Sequence, residues 1–248
     1  MNDVVSVILA AGQGKRMKSD LPKVLHTINN KTLADYVIDC AEEAGVTSHC
    51  IVVGHEKELV QQALQKENRF FAVQETPLGT GHAVASASNL LRSKYFNKCL
   101  ILCGDTPCLQ VRTIQSFIEK FETGLNDLLV LSTSAENPSG YGRIIRDTSG
   151  ALVGIREEKD CSREESRITE INTGIYLGSI GLILDLLDAV DNQNSQGEYY
   201  LTDIIELAIK RSMKADAIQL GTESEFLGVN SQEQLLEAEK IINIGHAS

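Results

Sequence analysis

Gly12, Gly14, Lys15, Arg16 and Lys23 follow the first apolar run of the chain at close spacing. Glycine has no Cβ, so its backbone amide can approach a ligand closely and turn toward an anion. Lysine and arginine add fixed positive charge over the same place, and together these groups describe a polyphosphate cradle. Two familiar cradles do not fit. A dinucleotide fingerprint puts a third glycine where Met17 stands and an acidic residue at the end of the second strand, which here runs into Gly54-His55. A P-loop has four residues between its glycines and a Lys followed by Ser or Thr. Here Gln13 alone separates the glycines, and Arg16 follows Lys15. Taken alone, the segment also fits an ordinary strand–turn loop with a solvated basic tail.

Other residue types with chemical uses recur farther along. Gln74 carries an amide that both donates and accepts, which suits a nucleobase edge. Gly79 and Gly81, on either side of Thr80, let the backbone close on a flat base. Asp105 and Asn230 are hard oxygen donors of the kind Mg²⁺ takes together with water and phosphate. Gly140, Glu157 and Asn172 can share hydrogen bonds with sugar hydroxyls or an acetamido group. Each has a plainer reading as well. Gly104-Asp105 is a turn with a capping carboxylate, Glu157 lies in the charged run Arg156–Asp160, and Asn172 and Asn230 tolerate left-handed turns. His26 and His82 read as structural, His82 at a helix start, because no carboxylate is spaced to form a relay with either.

The elements that must hold these residues alternate through the first half. Val4–Leu9 is a β-branched run typical of a strand buried on both faces. Leu33, Tyr36, Val37, Cys40, Ala41 and Ala44 share a helical face, with Thr32 as N-cap and Gly45 beyond the end. Strands are predicted at Cys50–Val53, Phe70–Val73, Cys99–Cys103 and Leu128–Ser132, and helices at Glu56–Lys66, His82–Arg92 and Val111–Phe121. Such alternation implies right-handed crossovers and a doubly wound, mainly parallel sheet. Farther on, Tyr141–Asp147, Ala151–Glu157 and Ile171–Leu177 read as an antiparallel addition. Helices at Ile180–Val190, Tyr200–Arg211 and Ser231–Ile242 and a strand near Ala215–Leu220 complete the pattern. In open α/β sheets ligands bind beyond the carboxyl ends of the strands, where nearly all of the candidate residues fall.

Composition narrows the classes. A net charge of −11 over 248 residues argues against a general nucleic-acid surface, so the local basic loop points to a small anionic ligand. No apolar run approaches a membrane span and no signal-peptide pattern opens the chain, so a cytoplasmic location without membrane attachment is expected. Six cysteines (40, 50, 99, 103, 108 and 161) lack zinc-site spacing, and a disulfide framework does not suit a cytoplasmic chain. Cys40, Cys50 and Cys99 fall in apolar patterns, whereas Cys103 ends a strand next to the candidate chemistry.

The loop Leu9-Ala10-Ala11-Gly12-Gln13-Gly14-Lys15-Arg16-Met17 with Leu21-Pro22-Lys23-Val24-Leu25 resembles the signature of the sugar-1-phosphate nucleotidyltransferases. Residues 74–83, 104–107, 140–144, 170–174, 197–203 and 228–230 narrow the likeness to the uridyltransferase domain of bacterial bifunctional N-acetylglucosamine-1-phosphate uridyltransferase/glucosamine-1-phosphate acetyltransferases. The resemblance runs from about residue 5 to 235.

It implies an α/β, Rossmann-like three-layer fold with a mainly parallel mixed sheet and a small antiparallel addition. It implies one domain, with a nucleotide-binding part over about 1–135, a sugar-binding part over about 136–230 and a helix over 231–243. Leu9, Ala10, Ala11, Gly12 and Gly14 would meet the nucleotide, and Arg16 and Lys23 would be catalytic, neutralising the triphosphate. Gln74, Gly79 and Thr80 would read uracil, and Asp105 and Asn230 would hold Mg²⁺. Cys103, Gly140, Glu157, Asn172 and Thr173 would line the sugar site. The implied reaction transfers UMP from UTP to N-acetylglucosamine-1-phosphate, giving UDP-N-acetylglucosamine, a cell-wall precursor, and pyrophosphate.

Two departures from the family pattern stand out. The family commonly has Tyr where this chain has Cys103, which removes a bulky contact near the sugar. Its acetyltransferase β-helix, which drives trimerisation, has no counterpart in these 248 residues. The chain is therefore expected to be a piece of a longer protein or a stand-alone enzyme, and a monomer or dimer. The same chemistry with CTP or another sugar phosphate is an alternative, and a non-catalytic nucleotide-sugar sensor is one of a different class.

Overall fold

In the computed structural model residues 3–245 are described; the side chain of Lys15, one of the expected cradle cations, lies outside the description. Strand β1 (Val4–Leu9) turns Val5 and Val7 to one side and Val4 and Ile8 to the other, and both sides are buried. That is what a β-branched run demands when helices cover both faces of its sheet. A short hairpin follows, β2 (Thr27–Ile28) and β3 (Lys31–Thr32), turned by Asn29 and Asn30 at φ 50° and 63°. The sequence pattern does not anticipate it. Its one signal is the asparagine pair, since asparagine tolerates the left-handed conformation that such tight turns need.

Next come α1 (Leu33–Glu43), β4 (His49–Val53), α2 (Lys57–Leu64) and β5 (Arg69–Val73). Thr32 caps α1 as expected, its side chain accepting from the Asp35 amide at 3.0 Å. The helix expected over 82–92 is instead two, α3 (Thr80–Ala85) and α4 (Ser88–Ser93). Between them the Ser86 hydroxyl donates to the His82 carbonyl at 2.8 Å, and the Ala87 amide bonds three residues back to Val84. Serine back-bonding of this kind competes with the regular helical pattern. Then follow β6 (Lys98–Cys103), α5 (Val111–Thr123) and β7 (Leu128–Ser134).

The remaining elements are β8 (Arg143–Arg146), β9 (Leu152–Arg156), β10 (Glu170–Ser179), α6 (Ile180–Leu187), α7 (Asp203–Lys210), β11 (Ala215–Gln219) and α8 (Gln232–Gly245). The main sheet runs β11-β7-β10-β6-β1-β4-β5, with the β8–β9 hairpin attached through β10. The pairs β6–β1, β1–β4, β4–β5 and β11–β7 are parallel. β8 and β9 form the expected antiparallel addition, but β10 does not stay with them. It enters the middle of the main sheet, antiparallel to both β6 and β7. Ile175, Tyr176 and Leu177 are each at most 1% exposed, so this strand gains burial on both faces by lying there.

Helices α3, α4, α6 and α7 close one face of the sheet over Val5, Val7, Ile101 and Tyr176. Helices α1, α2 and α5 close the other over Ile8, Ile51, Leu100 and Leu129. A third, smaller cluster joins the two ends of the described chain: Met17, Ile28 and Leu33 pack with Val229, Ala238 and Ile242. Met17 is 1% exposed, and its carbonyl accepts from the Gln232 side chain at 3.2 Å. The residue that breaks the dinucleotide fingerprint is thus an apolar peg seating the cation loop against α8.

Met17→Ala leaves a cavity under that loop and should lower unfolding free energy by about 2–5 kcal/mol in urea denaturation. A loss below about 0.5 kcal/mol, as at an exposed site, would show that the loop is not anchored there.

Candidate active site

The carboxyl ends of β1, β5 and β6 open onto a cavity of about 290 Å³ lined by Leu9, Ala11, Gly12, Lys23, Gln74, Gly79, Thr80, Cys103 and Asp105, among others. At its edge the Lys23 ammonium donates to the Asp105 carboxylate and, at 2.8 Å, to the Asn230 side-chain oxygen. Lys23 and Asp105 are 14% and 17% exposed at their side chains, so this cation–carboxylate pair is largely shielded from water. Backbone bonds hold the pieces in place: the Val229 amide donates to the Asp105 carbonyl at 2.9 Å, and the Gly104 amide to the Leu9 carbonyl at 3.0 Å. Three segments far apart in the chain therefore meet at one charge. The two expected metal ligands converge on a single positive centre, as an oxygen donor set for a cation must.

The glycine loop is shaped by close approach. Gly14 has φ +63°, and a Cβ there would stand 2.7 Å from the Lys23 Cβ, so only glycine lets the loop fold over Lys23. Gly12 is exposed, with no atom within 4 Å of where its Cβ would be. Arg16 is exposed too and makes no hydrogen bond or ion pair among the described residues.

At the opposite rim, Gly79 has φ +113°, and a Cβ there would lie 2.5 Å from the Tyr199 carbonyl oxygen. This closeness reflects a docking of residues 78–81 onto 199–201. The Gly81 amide donates to the Tyr199 carbonyl and the Tyr199 amide to the Leu78 carbonyl, both at 2.8 Å. The Thr80 hydroxyl accepts from the Leu201 amide at 3.0 Å. The sequence marks residues 197–203 only as part of a motif and gives them no task; they brace the loop at 78–81, and Glu198 lines the cavity. Gln74 is 6% exposed, and its amide nitrogen is 3.0 Å from both the Gly79 carbonyl and His82 Nδ1.

The residues expected around a sugar are only partly gathered. Asn172 is held at both ends of its amide: its nitrogen donates to the Tyr176 hydroxyl at 3.0 Å, and its oxygen accepts from the Gly174 amide at 2.9 Å. Glu157 accepts from the Thr202 hydroxyl at 3.0 Å and lines a neighbouring cavity of about 150 Å³ with Asp160, Asp191 and Asp203. Burial raises its carboxyl above the usual range, against the Thr202 bond, and Asp160 and Glu198 push the same way as burial. Burial also pushes the Cys103 thiol up to about 12, with Asp105 adding to it. The Tyr176 hydroxyl is raised well above its ordinary value, again by burial first and then by Glu157. Thr173 is buried and donates its hydroxyl to the Leu131 carbonyl at 2.8 Å, away from the cavity. Gly140 is exposed at φ +89° on the loop before β8.

A larger groove of about 670 Å³ opens elsewhere, between Thr133–Ser134, residues 219–227 and α8. Its ionisable side chains are the carboxylates Glu136, Glu223 and Glu237 and the Tyr141 phenol, so it offers an anion nothing that the smaller cavity offers.

An α/β fold with cations and a pair of oxygen donors gathered at its strand ends defines the class. The chain belongs to the MobA-like NTP transferase domain family, whose pattern matches residues 6–168. It is 45% identical over 242 residues to the bifunctional protein GlmU of Caldanaerobacter subterraneus subsp. tengcongensis, covering 98% of this chain and 52% of that one. To the bifunctional protein GlmU of Clostridium tetani it is 43% identical over 237 residues, covering 96% and 52%. The chain thus spans about half the length of the curated relatives it matches. Among solved structures it resembles a UDP-glucose pyrophosphorylase complexed with UDP-glucose, with TM-score 0.80 and 19% identity over 97% of this chain and 98% of that one. A putative glucose-1-phosphate thymidylyltransferase from Bacillus anthracis superposes with TM-score 0.76 and 18% identity over 96% and 94%. These two likenesses bear out the Rossmann-like fold class. The likeness to GlmU bears out the family read from the motifs.

Asp203, on the rim of the acidic cavity, has its carboxyl raised from 3.8 to about 6, by burial first and then by Glu157. The native state therefore holds this proton more tightly than the unfolded chain does. The ionised group weakens the fold above about pH 6, and the penalty fades as pH falls toward 4. Asp203→Asn should raise unfolding free energy at neutral pH by about 1 kcal/mol, discounted because the group is half exposed. Urea denaturation between pH 4 and pH 8 measures this; a variant no more stable than wild type at neutral pH would contradict the assignment.

Proposed function

We propose that this chain transfers UMP from UTP to N-acetylglucosamine-1-phosphate, releasing pyrophosphate and UDP-N-acetylglucosamine. The observation that carries the reading is the convergence of Lys23, Asp105 and Asn230 beside the glycine loop. Positive charge and a pair of side-chain oxygens lie together at one rim of a cavity whose other rim is Gln74 and Gly79. The identity of about 45% to bifunctional GlmU proteins over nearly the whole chain supports the uridine and N-acetylglucosamine assignments. In the domain division that fits this reading, the strand-end loops of about 1–135 serve the nucleotide and the β8–β10 region serves the sugar.

Use of a divalent metal is general among nucleotidyltransferases, and Asp105 and Asn230 suit Mg²⁺. No cluster of three or more His, Cys, Asp or Glu among the described residues could hold a metal alone, so an ion here needs phosphate oxygens as well. Bound there, Mg²⁺ would neutralise phosphate charge. Lys23 draws on the same two oxygens, so a metal ion and the ammonium weaken each other's hold.

In the proposed step a phosphate oxygen of the sugar phosphate forms a bond to the α-phosphorus of UTP. The bond from that phosphorus to the bridging oxygen breaks, and pyrophosphate leaves with its electron pair. No covalent intermediate on the protein is needed. The chain positions two anions and stabilises the charge that spreads during transfer. Arg16, exposed and unpaired among the described residues, can reach toward phosphate without breaking a bond of its own. Lys23 is preset by Asp105, and Ala11 and Gly12 line the same cavity. Asn172, Glu157 and the loop at Gly140 are the groups proposed to hold the sugar.

A pyrophosphate-release assay over a panel of nucleoside triphosphates and sugar-1-phosphates tests the reading. UTP with N-acetylglucosamine-1-phosphate should be the best pair; a better pair would replace it, and release from none would favour a non-catalytic binding protein. Arg16→Ala should lower turnover about 10²–10³-fold with the fold intact, comparable to losing one oxyanion donor. Near-normal turnover in that variant would remove Arg16 from the mechanism. Asp105→Asn should abolish the response of the rate to added Mg²⁺, and an unchanged Mg²⁺ titration would refute the metal assignment.

A further inference from the structure

We propose that Thr202 is a positioning residue for the sugar phosphate, its hydroxyl fixing one oxygen of Glu157 and leaving the other to a sugar hydroxyl, an inference that rests on the sugar reading of Glu157 above. Thr202 stands at the start of α7, where threonine is favoured because its hydroxyl can accept from an amide two or three residues on. Here it caps nothing. Its backbone is already helical, at φ −57° and ψ −28°. Backbone bonds close the first turn, from the Ile204 amide to the Leu201 carbonyl and from the Ile205 amide to the Thr202 carbonyl, both at 3.2 Å. The hydroxyl donates instead to Glu157 Oε1 at 3.0 Å, just past the end of β9. Thr202 is 3% exposed, and a hydroxyl so buried needs a partner.

Among the described residues the Thr202 hydroxyl is the one hydrogen-bond donor to the Glu157 carboxylate, and Oε2 has no partner. Arg156, the one cation lining the same small cavity, pairs with Glu165 at 3.4 Å. The groups that face Glu157 are all acids: Asp160 just beyond it, Glu198 ahead of α7, Asp203 on α7, Tyr176 on β10 and Cys103 at the end of β6. Glu198 and Cys103 also line the 290 Å³ cavity, so the carboxylate stands next to the place assigned to the substrates. Burial, with Asp160 and Glu198, disfavours the ionised form, whereas the Thr202 hydroxyl favours it by donating to the charged group. An ionised carboxylate accepts at both oxygens, so with Oε1 taken it can receive a sugar hydroxyl at Oε2. The same segment braces the nucleotide side. Tyr199 and Leu201 hold residues 78–81, and Thr202 follows at once, so one short piece of backbone ties that loop and Glu157 together.

The test measures KM for N-acetylglucosamine-1-phosphate and KM for UTP, each at saturating co-substrate, by pyrophosphate release from the full chain. Thr202→Val keeps the shape and removes the hydroxyl. Its KM for the sugar phosphate should rise about 10–100-fold, the worth of a hydrogen bond to a charged group, with KM for UTP unchanged. Thr202→Ser keeps the hydroxyl and should stay close to wild type. The pH profile is a readout that packing alone would not move. Without the hydroxyl the Glu157 carboxyl rises further, so the acid limb of kcat/KM for the sugar phosphate should move to higher pH in Thr202→Val and not in Thr202→Ser. Asp203, raised to about 6, titrates in the same window, so the pH series is run in an Asp203→Asn background. Calorimetric titration with UDP-N-acetylglucosamine and with UDP supplies the sugar's share of binding if a variant turns over too slowly. A wild-type sugar KM in Thr202→Val overturns the proposal, as does an equal loss in Thr202→Ser, a parallel rise in KM for UTP, or an acid limb that stays in place. Glu157→Gln separates the two readings. A wild-type sugar KM in that variant removes Glu157 from the sugar, and this inference with it; a raised one leaves only the role of Thr202 at stake.

Discussion

The Lys23 ammonium, held between Asp105 and Asn230, is the contact on which the site depends. A half-buried charge needs opposite charge and hydrogen-bonding oxygens around it, or burial becomes costly. Here the partners come from 82 and 207 residues away, so meeting that need draws the glycine loop, the end of β6 and the approach to α8 to one place. Neighbouring contacts repeat the same tie without charge. The Val229 amide bonds to Asp105, and Met17 packs against Val229 and Ala238. Electrostatics fixes the chemistry of the junction, and apolar packing keeps the loop seated over it.

The opposite rim of the cavity is organised by backbone rather than by charge. Residues 78–81 dock on 199–201 through paired amides and carbonyls, so this loop inherits the rigidity of the segment leading into α7. That rigidity reaches a side chain through Gly79, whose carbonyl takes one hydrogen of the Gln74 amide. A group with two faces in the sequence has one face in the fold. The residues expected at the sugar follow the same logic in Asn172, whose amide is gripped at both ends, while the Thr173 hydroxyl next to it is turned into the sheet.

Much of this was legible in the sequence because buried parallel strands leave a strong mark. The β-branched runs of β1 and β4, the apolar run of β6 and the apolar stripe of α1 need no partner information to be read, and the strand-end rule then collects the candidate residues. Where the reading faltered, distant contacts decided. The pattern at 171–177 marks a strand but not its neighbours: β10 lies between β6 and β7 and meets its sequence neighbour β8 only at Ile171, opposite Arg143. The break between α3 and α4 turns on one serine hydroxyl choosing a backbone carbonyl, which periodicity does not register. The β2–β3 hairpin is only four residues of strand, too short to show an alternation.

By itself, then, the sequence determined the layered α/β class, the cation-rich glycine loop and the set of amides and carboxylates that could serve a nucleotide sugar. These are local properties: side-chain type, spacing and hydrophobic period. Only the tertiary structure decided that Lys23 lies between Asp105 and Asn230, that Thr173 faces away, and that the Gln74 amide nitrogen turns to the Gly79 carbonyl. Each of those is settled by a partner far along the chain or by the direction of a single hydrogen bond. Residue spacing carries no record of either.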